Sequence, residues 1–495
     1  MEQHRTAQLP LADRFAAQRA WFATRASAIF PVVVRPDGDT ILAFLDYWRL
    51  KNGLEGVIAG IRVRDEDGGI VLQHAAPISK AHNEISLGAL LGRDHFDGSV
   101  EFEVVGGPNL VFNYAAVVAF YRSGRRFSVV HAPGRIRNAD EPRRMRRSVE
   151  TNWTCRVAEG VTPFFHVFNG PREGALGELR VQVRRADGAV KASRRSTLGL
   201  EAPFASRVVR LDEIFAPEDL PERDEFVTVE LPDEDCFPRL VVGNFHRDGD
   251  FLEATHSFYW SEVDDRLVPG RDAPELLSFI PASNVPELDL DLVFYPTNSP
   301  GEVTATLREA CHGGRLEKTS HSHTWRTGGP GASVWRRQLE ASTALLSFDL
   351  TEGDVPSRIN TSYRYSVRGS QAPLATDIAT GAHAYVYPPK HSHWGHGLVS
   401  DAFETVLLIR NIAHRRRDSA ATLAQLRVFD AQGLDRTVTM RVEPESPAFM
   451  RLRDVAGGGR DERIVSWLLR ADHPDLEAFW ITFSPEGSIC GEHAF

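Results

Sequence analysis

The chain has four cysteines in 495 residues, Cys155, Cys236, Cys311 and Cys490, widely scattered and never paired as Cys-x-x-Cys. That argues against a disulfide framework and fits a reducing compartment. No segment approaches the roughly 20 consecutive apolar residues that span a bilayer, and the start, Met1-Glu2-Gln3-His4, does not develop into a secretory leader. A cytoplasmic protein without a membrane partner is therefore expected. A basic excess is also lacking: 57 Lys and Arg against 67 Asp and Glu leave a formal charge of −10. Phosphates would go unneutralised, which excludes a general nucleic-acid binder. The one basic run, Arg143, Arg144, Arg146 and Arg147, sits beside Asp140 and Glu141 and reads as a solvated linker. Absent too are a phosphate-cradling glycine loop, a nucleophile elbow, an HExxH pair and a nucleotide-binding βαβ unit.

What is present is ordinary in bulk, with 42% hydrophobic and 25% charged residues, so the chain is expected to fold. Its length exceeds what one core supports and suggests roughly three or four domains. Three landmarks then recur in one order. The first is a short alternating strand running into a glycine turn: Ile61 to Arg64 with Gly68, Val181 to Arg184 with Gly188, Ala305 to Arg308 with Gly313, and Leu426 to Phe429 with Gly433. The second is an extended run that closes on Leu87 to Leu90, Leu211 to Ile214, Phe348 to Leu350, or Leu452 to Val455, ahead of a crossover. The third is a terminal hairpin with a Phe-x-x-x-Gly frame at Phe120, Phe245 and Phe483, ending on His131, His256 and His493; a longer version ends on His383.

An internal repeat of this kind, with short strands and turn signals between them, predicts a mainly β protein of four tandem immunoglobulin or fibronectin-like β-sandwich modules. The Cys-Trp-Cys spacing of true immunoglobulin domains is absent. The expected modules cover 30–136, 150–262, 276–389 and 390–495. Entry tryptophans Trp153 and Trp394 precede modules two and four only, which suggests a duplicated pair, with the Asp-, Pro- and Gly-rich stretch Asp264 to Glu275 between the halves. Residues 1–29 are expected to be an N-terminal helical segment, with Leu11, Phe15, Phe22, Ala26 and Ile29 on one amphipathic face.

Chemistry concentrates around His391-Ser392-His393-Trp394-Gly395-His396, just after His383. Imidazoles at 391 and 393 share one face of a strand, and a turn at Gly395 would bring in His396. His383, His391, His393 and His396 are thus the candidate ligands for a divalent transition metal such as zinc. Trp394, Tyr385, Tyr387, Trp153 and Asn152 are candidate ligand-binding residues, as aromatic rings stack on sugars or grip peptides. The recurring His131, His256 and His493 are expected to be structural, since a residue repeated at equivalent places normally serves the fold. The leading functional reading is a non-catalytic binding or assembly protein that recognises a carbohydrate or protein partner through intermodule grooves and loops, with no cofactor. The alternative is a metal-dependent enzyme, a hydrolase, at the junction of modules three and four. Oligomeric state is not legible in the sequence.

Overall fold

The structure is a computed structural model. It describes residues 25–106, 115–131, 148–154, 158–174, 176–230, 240–261, 276–281, 288–296, 301–310, 316–338, 343–353, 358–368, 375–383, 391–411, 421–443, 447–472, 476–484 and 489–494. The sequence readings for residues 1–24, for Arg143 to Arg147, for Asp264 to Glu275 and for Tyr385 and Tyr387 fall outside these.

The described residues are mainly β and form eight antiparallel sheets. These fall into four sets of eight strands that begin and end at Arg25–Val34 and Arg126–His131, Ser148–Thr154 and Phe251–His256, Leu276–Pro281 and Ala375–His383, and Ser392–Val399 and Ile489–His493. Counted one to eight in chain order, the strands of every set pair as 1-6-3-4 in a first sheet and 5-2-7-8 in a second. The second set adds a further strand, Phe258–Ser261, beside its first. Each set places its final strand at an edge of the second sheet and its fourth strand at an edge of the first. Among the described residues, no helix is long and apolar enough to cross a membrane.

Alternation decides which side chains fill each set. Along the second strand of the first set, Phe44 turns inward and meets Phe102 of the opposite sheet at 4.8 Å, the rings tilted by 53°. The equivalent meeting in the third set is Phe294 with Phe348 at 5.9 Å. Trp153 with Phe165 fills the second set and Trp467 with Trp480 the fourth. Burying rings of this size contributes about 1.5 to 3 kcal/mol each, so every set carries its own core.

The sets also pack on one another, head to tail. The outer face of the second sheet of set two, with Phe164, Phe245 and Leu252, joins the cluster of Phe30 and Val32 in set one. The outer face of set four, with Leu408, Phe479 and Ile481, joins Leu292, Ala305 and Tyr363 of set three. Set one in turn packs Phe120, Phe127 and Val129 against Leu398, Phe403 and Ile464 of set four, and the chain closes into a ring. Between sets two and three, Phe251–His256 packs on Ala375–His383, and among the described residues Asp224 accepts from Arg336 and Ala332 donates to the Ala186 carbonyl at 2.9 Å.

Three sequence expectations change here. Residues 25–29 are not the end of a helix: they are the first half of strand Arg25–Val34, paired along its length with Phe96–Val105. The second landmark is a short helical turn rather than the end of a strand, at Leu87–Leu91, Leu211–Glu213 and Leu452–Ala456. Its supposed third copy, Phe348 to Leu350, lies inside the sixth strand Thr343–Gly353. The shared Phe-x-x-x-Gly frame also conceals different turns, since the closing pairs Ser123 with Arg126, His246 with Phe251 and Phe483 with Ile489 leave two, four and five residues between strands.

Candidate metal centre

Ring closure brings the four final strands together: Arg126–His131 packs on Phe251–His256 and on Ile489–His493, and Ala375–His383 packs on the latter two. Ser128 ties the first pair, its hydroxyl donating to the Leu252 carbonyl at 2.6 Å and accepting from the Ala254 N–H at 3.1 Å. A histidine ends each strand, paired across from Val118, Val241, Arg358 and Phe479 respectively. The backbone of His383 ends its strand in the same way as the others.

Three of these histidines meet. The rings of His131 and His256 lie 4.5 Å apart and nearly perpendicular, and those of His131 and His493 lie 5.1 Å apart. His131 Nδ1 is 3.0 Å from Glu492 Oε2, and Glu492 Oε1 is 3.6 Å from His493 Nε2. One nitrogen or oxygen from each of His131, His256, Glu492 and His493 lies within 4.8 Å of all the others. His131, His256 and Glu492 are buried, while the His493 side chain is 32% exposed. His256 Nδ1 and His493 Nδ1 sit 3.0 and 3.3 Å from the carbonyls of Ser257 and Ala494. A carbonyl only accepts, so both Nδ1 atoms carry the proton and each Nε2 is the basic nitrogen.

Sequence reasoning had these histidines as recurring and structural, and did not single out Glu492. The available signal was the recurrence itself together with a carboxylate adjoining the last copy.

The His-rich segment of set four is divided by its strand. Gly395 does not turn the chain; it continues Ser392–Val399 opposite Trp467. A Cβ there would lie 2.5 Å from Trp467 and 2.8 Å from Trp480, so the face shared with His393 looks into the fourth core. Trp394 and His396 occupy the other face, toward set one, where Trp394 lies 6.2 Å from Tyr47. There Ser466 Oγ stands 2.9 Å from His396 Nδ1 and 2.7 Å from His82 Nδ1. Burial first, and His82 second, hold the His396 imidazole well below the ordinary histidine range. His391 is exposed at the strand's start. Among the described residues, His391, His393 and His396 do not gather into a group of ligands around one point, and the side chain of His383 lies outside the description. Trp153 is buried in the second core, and Asn152 is paired through its backbone with Phe258.

The chain is thus a multi-sheet antiparallel β protein with a buried His and Glu cluster where its repeated sets converge. No protein-family model matches it, and no curated protein does. Among solved structures it aligns with a tetra-tandem repeat in the extending region of a large adhesion protein at 10% identity, covering 89% of this chain and 91% of that one, with a TM-score of 0.11. Trypsin-activated alpha-2-macroglobulin from Escherichia coli aligns at 10% identity over 98% of this chain and 32% of its own, with a TM-score of 0.10. A GH78 family rhamnosidase of Bacillus sp. GL1 aligns at 8% identity over 91% and 52%, with a TM-score of 0.13. Superpositions this poor carry no argument about partner or activity.

Proposed function

We propose that the chain is a non-catalytic binding or assembly scaffold for a protein or carbohydrate partner, built from four β-sandwich modules of immunoglobulin-like kind. Pairing of the second strand with the fifth and of the third with the sixth supports the likeness. The function reading is carried by one observation: among the described residues, the fourth strand of every module, Ile70–Pro77, Val190–Ser196, Leu316–Thr327 and Asp435–Val442, lies at a sheet edge with no further strand paired to it. Open edges offer unpaired backbone groups, and a ring that repeats them suits several weak contacts to one partner. Ile70 and Val190, each just past its hairpin glycine, are 53% and 44% exposed, which adds apolar contact area at matching places. Screening the full chain on a glycan array and against immobilised candidate proteins tests this. Saturable binding supports the scaffold; no binding together with turnover of a small substrate reverses it.

A metal-dependent hydrolase at the junction of modules three and four, using His383, His391, His393 and His396, is the second reading. It is supported by the exposure of His391 alone, since His393 and His396 lie on opposite faces of strand Ser392–Val399.

A further inference from the structure

We infer that His131, His256, Glu492 and His493 bind one divalent transition ion of the zinc class at the centre of the ring, where it joins modules one, two and four. This goes beyond the scaffold reading and does not depend on it.

The donor set comes first. Three imidazoles and one carboxylate suit a borderline ion such as zinc and fill a tetrahedral sphere. Bonds of about 2.0 to 2.1 Å set tetrahedral ligands about 3.3 to 3.4 Å apart. Atoms already within 4.8 Å of one another reach that spacing by small side-chain rotations. The second argument is the orientation of the rings. His256 and His493 each anchor Nδ1–H on a backbone carbonyl, the outer contact that presents Nε2 to a metal and raises its basicity. The third is charge. Glu492 is 2% exposed, and a buried carboxylate is costly unless neutralised. A dication held by this set would add its attraction to the bonds the carboxylate already accepts from His131 and the His493 N–H. Recurrence is explained as well. The Nδ1 of His131 stands at Glu492, while those of His256 and His493 stand at adjacent carbonyls. What they share is their place at the ends of strands that converge.

With all four protein ligands engaged the ion has no open position, and its role is to hold modules together, not to activate water. The half-exposed His493 marks the side from which it enters.

The test uses full-length protein purified without an affinity tag, dialysed against a slight excess of zinc and then against metal-free buffer. Elemental analysis should find about one zinc per chain, cobalt substitution should give the absorption of a tetrahedral site, and a chelator should lower Tm. His493→Gln, the least buried position, should weaken zinc binding at least about tenfold. The double variant His256→Gln/His493→Gln should abolish it. His391→Ala/His393→Ala/His396→Ala should keep it, which separates this centre from the other His-rich segment. Wild-type protein holding under about a tenth of an equivalent would overturn the inference. So would full stoichiometry in the folded double variant, or unchanged affinity in His493→Gln should the double variant not fold.

Discussion

A histidine that has lost its water is a stability device with a fixed sign. His166, in strand Val161–Phe168, is buried, and desolvation lowers its pKa to about 3. Its Nε2 has no hydrogen-bond partner among the described residues. The unfolded chain takes up a proton near pH 6.5 and the folded one does not until about pH 3, so stability is full above pH 6.5 and drains as pH falls through that window. The slope is about 1.4 kcal/mol per pH unit. His396, shifted in the same direction, adds to it. Replacing His166 with Leu removes the titration and a desolvated nitrogen together, so stability at pH 7 should hold or rise and the acid limb should become shallower. Urea titrations at pH 7, 6, 5 and 4 measure this, and an unaltered pH profile would refute it. None of this was legible beforehand, since Thr162 to Phe168 reads as one apolar strand and only packing on module one shows that its histidine is dry.

Strand-level features divide into what local chemistry dictates and what neighbours dictate. The first landmark was readable because a hairpin turn requires its glycine: Gly68, Gly188 and Gly433 adopt φ of 87°, 86° and 92°. In modules one and two an arginine of the same strand, Arg64 or Arg184, donates to that glycine's carbonyl at 3.1 or 2.8 Å. Gly395 was misread because its purpose is not local. It makes room for two tryptophans that arrive from strands about 70 and 85 residues later, and no turn signal encodes that. Gly395→Ala should therefore cost about 1 to 3 kcal/mol by overpacking. Gly459→Ala, where a Cβ meets nothing within 4 Å, should stay within about 0.5 kcal/mol. Denaturant midpoints of the two variants decide the matter, and equal midpoints would remove the packing explanation. The same reasoning covers the His-rich segment: closeness along a strand sends neighbours to opposite faces, so three imidazoles in six residues are poorer ligand partners than histidines in separate modules.

At the scale of the whole molecule, the repeat was visible but its closure was not. Landmarks at Ile61, Val181 and Leu426 report what each set contains, while the meeting of His131, His256 and His493 depends on how the sets stack. Stacking also makes the four contacts unequal. Sets one and two, three and four, and four and one share apolar clusters, whereas two and three meet, among the described residues, through polar contacts and the packing of Phe251–His256 on Ala375–His383. A protease site placed between residues 262 and 275, once cut, should leave the two halves associated through Phe127 with Phe403, at 4.9 Å, and Tyr47 with Trp394. Size-exclusion chromatography in native buffer should show one species of unchanged volume that separates only in denaturant. Two peaks without denaturant would mean that the contacts between the halves are too weak to hold them once the covalent link is cut.

Head-to-tail packing has a consequence for ancestry. Modules one and two on their own would present a donor face at one end and an acceptor face at the other, and two such fragments could satisfy each other by a half-turn. If the duplicated pair expected from the sequence is the chain's history, the present chain corresponds to a fused homodimer of that kind. Expressed separately, residues 25–261 should associate as a twofold pair that copies the ring, with His131 and His256 of both copies at its axis.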